Sequence, residues 1–144
     1  MKRQIAAVML LCLAMTGAAM ASAAMATKNI PAMPGILANA RFVYVTSYDG
    51  GQFNPNLLPD DRAAISRVQD ALQKWGKLTV VYRPQDADIV IAVQSRPSED
   101  IVAVYDGHSS SQTYLWRVMG RGGLQKGETP LVTQFERAFE KIAN

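Results

Sequence analysis

Residues 72–93 read LQKWGKLTVVYRPQDADIVIAV and contain, in order, the end of a helix, a strand, a short loop and a second strand. Gly76 is expected to end the helix, because glycine enters the left-handed conformation without steric cost. Residues 89–93, IVIAV, are apolar at every position, which is typical of a central strand. These 22 residues therefore predict a sheet with a helix packed on it.

The same kinds of pattern extend in both directions along the chain. Pro59 starts the first helix, whose Ile65, Val68 and Leu72 recur at steps of three and four and so share one face. Thr129, as an N-cap residue before Pro130, starts the second. The second helix carries its apolar face on Val132, Phe135, Phe139 and Ile142, and strands are expected at residues 41–47, 78–83, 89–93, 101–105 and 113–119.

The order β-α-β-β-β-β-α predicts an α+β fold of two layers, in which two helices cover one face of a mixed four- or five-stranded sheet. The first strand–helix–strand unit is expected to join parallel strands. The short connections after it favour antiparallel hairpins. Trp75 and Phe139 are expected to be inner anchors of the core.

The first 26 residues have the pattern of an export signal, which predicts a periplasmic or secreted protein. Lys2 and Arg3 precede an apolar run, and small residues including Ala21-Ser22-Ala23 follow it. Cleavage is expected after Ala23, with the neighbouring positions 24 and 26 as alternatives. The apolar run is too short to span a bilayer, which takes about 20 residues.

Charge and cysteine content exclude several classes of partner. Removing Lys2 and Arg3 lowers the formal net charge from +3 to about +1, so the chain has no electrostatic reason to bind nucleic acid. Cys12 is the only cysteine and lies inside the apolar run. We therefore expect neither a lipid anchor nor a disulfide. Residues 39–144 are expected to form one domain, after an extended lead-in at 27–38.

The phrase from Leu72 to Val93 also resembles small bacterial envelope domains. It is similar to domains in the amino-terminal part of the Tol–Pal translocation protein and in short outer-membrane lipoproteins. That resemblance, over 22 of the 144 residues, implies a non-enzymatic protein that assembles with other envelope components. It carries over no functional residue, because the shared pattern is structural.

Three loops, 47–58, 84–88 and 106–112, are predicted to meet at one edge of the sheet. Recognition surfaces favour the aromatic, amide and glycine residues that the first loop contains. The alternative for Phe53 is that it closes over the core. The candidate binding residues on this rim are Tyr48, Asp49, Phe53, Asn54, Asp86 and His108.

No catalytic, metal or cofactor site is predicted. His108 precedes Ser109, Ser110 and Ser111, but neighbouring residues of one tight turn rarely form a nucleophile–base series with an oxyanion hole. The spacing of Asp86, Asp88 and the other turn residues fits no zinc or calcium motif. The helix start at Thr129-Pro130 offers N–H groups to an anion, although a plain loop is the simpler interpretation.

The leading functional prediction is a non-catalytic binding module of the cell envelope that contacts a protein or a wall component. The alternative is a periplasmic protein that binds a small ligand or an anion through the three loops. If both helices lie on one face of the sheet, its other face would be uncovered and could form a homodimer. Residues 30–37 could instead fold across that face.

Overall fold

A computed structural model describes residues 30–125 and 127–144, and the predicted export signal with Cys12 lies outside these ranges. No helix within them has the length and apolar character needed to cross a membrane. The elements are β1 (Phe42–Ser47), α1 (Pro59–Trp75), β2 (Thr79–Val81), β3 (Ile89–Ser95), β4 (Asp100–Asp106), β5 (Tyr114–Gly120) and α2 (Pro130–Ala143), with short 3-10 helices at Gly35–Asn39 and Pro84–Asp86.

The strands form one five-stranded sheet in the order β2-β1-β3-β4-β5. β1 is parallel to both of its neighbours, β2 and β3. The β3–β4 and β4–β5 pairs are antiparallel. The α+β class, the mixed sheet and the element order predicted from the sequence are confirmed.

The connection between β2 and β3 differs from the expected hairpin. Residues 82–88 carry the chain from one side of β1 to the other, so β2 and β3 are not neighbours. Such crossovers usually need a dozen or more residues. Seven residues suffice here because β2 is only three residues long, so the chain has only the length of β2 to travel back before β3 begins.

Both helices pack on the same face of the sheet, where their apolar stripes form one core. Ile65 and Val68 of α1 and Phe135 of α2 are completely buried. The two helices touch through Trp75 and Phe139, whose rings meet edge to face at 5.6 Å. Burying these stripes is the main stabilising contribution of the helices, at about 25 cal/mol per Å² of apolar surface.

The two predicted anchors differ in burial. Phe139 is buried, but Trp75 is only partly so, because it lies at the last residue of α1. Its indole N–H reaches the edge of the helix layer and donates to Glu140 Oε1 at 3.1 Å. The tryptophan at the centre of the core is Trp116 of β5, 1% exposed.

The helix ends follow the sequence signals only in part. Gly76 adopts φ 76° and donates its N–H to the Leu72 carbonyl at 3.0 Å, as a glycine stop requires. Thr129 occupies the N-cap position of α2, but its side chain makes no capping hydrogen bond. Proline at the first turn thus marks the start of α2 without help from the threonine hydroxyl.

Residues 30–38, expected to be an extended lead-in outside the domain, are packed on it instead. Met33 and Leu37 are buried in the main core, and Leu37 belongs to the 3-10 helix Gly35–Asn39. The Trp116 indole N–H donates to the Pro31 carbonyl at 2.8 Å. This segment packs against α2, on the helix side, and so does not fold across the other face of the sheet.

Candidate functional site

The three loops predicted to share one rim do not all meet. Loop 47–58 lies at one end of the sheet, and loops 84–88 and 106–112 lie at the other. The loop after β1 leaves the carboxyl end of that strand, whereas Asp88, just before β3, binds the backbone at its amino end. The error arose from expecting β2 and β3 to form a hairpin. The two groups of loops are separated by the length of β1, about 16 Å at ~3.3 Å per residue.

At the carboxyl end of β1, Asp49 and Asn54 stabilise the loop itself. The Asn54 side-chain amide donates to the Asp49 carbonyl at 2.9 Å. Asp49 Oδ2 forms an ion pair with Arg96 Nη2 at 3.0 Å, and Arg96 Nη1 reaches the buried Asp61 Oδ1 at 2.8 Å. These polar groups therefore hold the loop against α1 and the β3–β4 turn.

The same loop exposes Phe53 to solvent. Its side chain is 79% exposed, which rules out the alternative that it closes over the core. Arg62 of α1 donates to the carbonyls of Gln52 and Asn54 on either side of Phe53. The backbone that presents the ring is thus fixed by α1.

At the amino end of β1, the turns containing Asp86 and His108 come together around Asp88. His108 Nε2 lies 3.1 Å from Asp88 Oδ1, and Asp88 Oδ2 accepts the backbone N–H groups of Arg41 and Phe42. Partial burial raises the pKa of Asp88, but these hydrogen bonds outweigh it and hold the pKa below its usual range. Asp86 faces away into an exposed ion pair with Arg83.

The serines after His108 interact with one another rather than with the histidine. Ser109 Oγ lies 2.9 Å from Ser111 Oγ and 3.0 Å from Thr113 Oγ1. His108 instead uses its ring nitrogen for Asp88. A base that activates a nucleophile has to lie within hydrogen-bond reach of it, and this pattern lacks that pairing.

No described group of three or more His, Cys, Asp or Glu side chains is arranged to hold a metal ion. The statement covers residues 30–125 and 127–144. Asp88 is bound by two backbone N–H groups and His108, and Asp61 is bound by Arg96.

No described helix packs on the face of the sheet opposite α1 and α2. We call it the open face. Alternation along the paired strands places an aromatic and aliphatic set of side chains there, with a single charged residue. Its members are Phe42, Tyr44, Thr46, Thr79, Val81, Val90, Ala92, Gln94, Ile101, Ala103, Tyr105, Tyr114, Arg117 and Met119, joined by Tyr48 at the end of β1.

Three tyrosines interact on the open face. Tyr48 lies near enough to Tyr105 to interact with it electrostatically, and the Tyr105 and Tyr114 rings meet edge to face at 5.8 Å. Burial raises the pKa of the Tyr48 hydroxyl, and nearby Tyr105 raises it further, whereas Arg117 lowers it. The neutral form of the Tyr48 hydroxyl is therefore favoured.

The cluster extends over the centre of the sheet because the residues beneath it are small. Tyr48 donates its backbone N–H to Val93, one residue beyond Ala92, while Tyr105 pairs with Val90 on the other side of Ala92. Side chains of the two tyrosines that approach each other therefore lie over the Ala92–Ala103 pair. Both alanines are buried although no further layer covers them.

Sequence reasoning identified Tyr48 but missed Tyr105, Tyr114 and Arg117. Part of the signal for them is alternation. Tyr105 lies two residues after Ala103 in β4 and so shares its face, and Arg117 of β5 is paired with Ala103. Tyr114 is three residues before Arg117, so strict alternation would place the two side chains on opposite faces. A bulge between Val104 and Tyr105 shifts the register, so Tyr114 still lies opposite Tyr105.

Comparison with protein-family profiles and with curated proteins gives no match. Among solved structures, a variant of PelC from Paraburkholderia phytofirmans, crystallised as a dodecamer, is similar to this chain at 20% identity. The match covers 76% of this chain and 93% of the PelC chain, with a TM-score of 0.40. At that identity and score it does not indicate a shared function.

Proposed function

We propose that this protein is an exported, non-catalytic binding module of the bacterial cell envelope that contacts a protein partner through its open face. The observation that carries the proposal is the cluster of Tyr48, Tyr105 and Tyr114 beside Arg117, on a sheet face that no described helix covers. Tyrosine and arginine are the side chains that most often dominate protein–protein binding energy.

The charge and shape of the open face favour a protein over a polyanion. Arg117 is its one charged residue, whereas binding of an anionic polymer depends on clustered positive charge. The middle of the face is formed by tyrosine side chains that lie over the small buried residues Ala92 and Ala103. A protein interface is typically a flat patch with aromatic residues near its centre.

Two further observations support the binding role. The serine hydroxyls next to His108 bond with each other, so the only histidine does not activate them. The leader pattern before residue 27 and the resemblance of residues 72–93 to envelope domains favour an exported protein. The export signal itself is tested by the size of the mature chain in the periplasmic fraction.

Proximity labelling in the native envelope, with the mature protein as bait, tests the proposal. We compare the wild-type protein with Tyr114→Ala, and we expect the variant to lose specific neighbours while keeping its fold. Removing a tyrosine at the centre of an interface typically costs about 2 kcal/mol. The corresponding loss of affinity is roughly 30-fold.

Tyr82→Ala is the matched control. Tyr82 and Tyr114 are each 53% exposed, but the Tyr82 hydroxyl accepts a hydrogen bond from Gln73 of α1, on the helix side. We expect Tyr82→Ala to retain the wild-type neighbours. If Tyr114→Ala also retains them, the open face is not the binding surface. Concentration-dependent self-association that Tyr114→Ala abolishes would assign the face to a second copy of this chain.

A further inference from the structure

A cavity of about 480 Å³ lies at the end of the sheet where β3 begins. It is separated from the open face, since it opens between the 3-10 helix Gly35–Asn39 and the turn after β4. Most of its wall is apolar, and a few polar side chains converge on it. The lining residues are Ile36, Leu37, Asn39, Ala40, Asp88, Ile89, Asp106, His108 and Leu115.

This combination is typical of a small-molecule site. Ligand pockets in proteins usually have volumes of about 300–1,000 Å³, apolar walls and a small number of well-placed polar groups. Leu37 and Ile89 are buried and form a rigid floor. Ile36 is 71% exposed and stands at the mouth, where a bound apolar group would cover it.

The polar wall of the cavity is held in place before any ligand arrives. Asp88 is fixed through Oδ2 by two backbone N–H groups at 2.8 and 2.9 Å. The Gly107 N–H donates to the Asp88 carbonyl at 2.9 Å, and the His108 N–H donates to Asp106 Oδ1 at 3.0 Å. Because these side chains are already ordered in the free protein, less conformational entropy is lost when a ligand binds.

The charges that line the cavity select the sign of the ligand. Asp88 and Asp106 contribute two carboxylates, and none of the described lining residues is a lysine or an arginine. Asp88 already has partners for both oxygens. Asp106 uses Oδ1 for His108 and has no hydrogen bond at Oδ2 to another described residue. A cationic donor would therefore be bound at Asp106, and an anion would be repelled.

We propose that this cavity binds a small organic cation, with its ammonium or guanidinium group at Asp106 and its apolar part against Leu115 and Ile36. The sequence-based alternative was a protein that binds a small ligand or an anion through three loops. The present proposal makes the ligand a cation and uses only loops 84–88 and 106–112. The site is independent of the open face, so either proposal can fail without the other.

A second, larger cavity does not carry an equal inference. Its volume is about 1130 Å³, and it lies between residues 30–33 and the last turns of α2. Its described lining holds side chains of both signs, Arg137, Lys141 and Glu140, and therefore selects neither a cation nor an anion.

Fluorescence titration with two dansyl probes tests the proposal on the mature protein. Dansylcadaverine carries a primary ammonium group, and dansylglycine carries a carboxylate on the same fluorophore. We expect saturable one-to-one binding of dansylcadaverine and at least about tenfold weaker binding of dansylglycine, as loss of a charged hydrogen bond implies.

Two variants assign the binding to this cavity. Asp106→Asn should weaken dansylcadaverine binding about tenfold, while Asp70→Asn, at an exposed carboxylate of α1, should leave it unchanged. Ile36→Trp should narrow the mouth and weaken both probes. Because Ile36 is exposed, that variant is expected to fold even if Asp106→Asn does not.

Several results would overturn the proposal. They are the absence of saturable binding, equal affinity for both probes, and dansylcadaverine binding that neither Asp106→Asn nor Ile36→Trp reduces. Tyr114→Ala should bind dansylcadaverine like the wild-type protein. A loss of binding in that variant would place the probe on the open face and reject the cavity as its site.

Discussion

At the scale of single residues, Asp88 connects three parts of the fold. Its side chain accepts the N–H groups that begin β1, its own N–H donates to Phe42, and its carbonyl accepts from Gly107. The sequence shows only an aspartate before an apolar strand. The role of Asp88 follows from the crossover at residues 82–88, which brings it to the start of β1.

Stability should depend on pH through Asp88. Its pKa is lower in the folded protein than in the unfolded chain, so its contribution is complete above about pH 4. That contribution is lost as the pH falls through the folded-state pKa. Asp88→Asn should lose about 1 kcal/mol at pH 7, a modest value because solvent reaches the group.

Urea unfolding between pH 7 and pH 2.5 measures this effect. We expect the wild-type and Asp88→Asn free energies of unfolding to converge as the pH falls. Asp70→Asn serves as the control, since its carboxylate is exposed on α1 and has no hydrogen-bond partner among the described residues. Parallel wild-type and Asp88→Asn curves over the whole range would contradict the assignment.

Gly107 is required because two backbone segments approach each other closely. A Cβ atom there would collide with the Ala87 carbonyl oxygen and lie 2.8 Å from the Asp88 carbonyl carbon. Gly107→Ala should therefore destabilise the protein by about 1–3 kcal/mol in guanidinium unfolding.

Gly35→Ala is the control for the glycine substitution. A Cβ atom at Gly35 meets nothing within 4 Å, so its free energy of unfolding should change little. If both variants changed the free energy of unfolding equally, the backbone around Gly107 would be able to move aside for a Cβ atom.

At the scale of elements, a buried carboxylate joins α1 to the turn between β3 and β4. Asp61 is completely buried, and its Oδ1 accepts from the Ser95 N–H at 2.9 Å and from Arg96 at 2.8 Å. From the sequence, Asp60 and Asp61 both fit the negative charge favoured at a helix start. Only the packing of α1 on the sheet distinguishes them.

Asp61→Ala should be much more destabilising than Asp60→Ala. Removing one partner of a buried ion pair typically costs about 3–5 kcal/mol. We expect about 2–3 kcal/mol here, because Arg96 keeps Asp49 and some contact with solvent. Thermal and urea unfolding of the two variants measure the difference. If the two variants lost equal free energy of unfolding, Asp61 would contribute only as a negative charge at the start of α1.

The helices and strands were largely predictable because their signals are local. Proline at the start of each helix, glycine after α1 and the spacing of Ile65, Val68 and Leu72 depend on neighbouring residues alone. The packing of residues 30–39 was not predictable in this way. Met33 and Leu37 are separate apolar residues among small ones, and their burial depends on distant contacts with α2.

At the scale of the whole molecule, sheet topology decided what the sequence left open. The class and the five-stranded sheet agree with expectation, but the positions of β2 and β3 on opposite sides of β1 do not. That one difference divided the predicted rim into two groups of residues. Tyr48, Asp49, Phe53 and Asn54 lie at one end of β1, while Asp86 and His108 lie at the other.

The groove beside α2 has a practical consequence, because residues from both extremities of the described chain line it. Ile30 and Asn144 border the same depression, on the side of the molecule away from the three clustered tyrosines. A biotin or an affinity handle attached through Asn144 would orient the protein on a sensor chip with its aromatic surface towards the analyte.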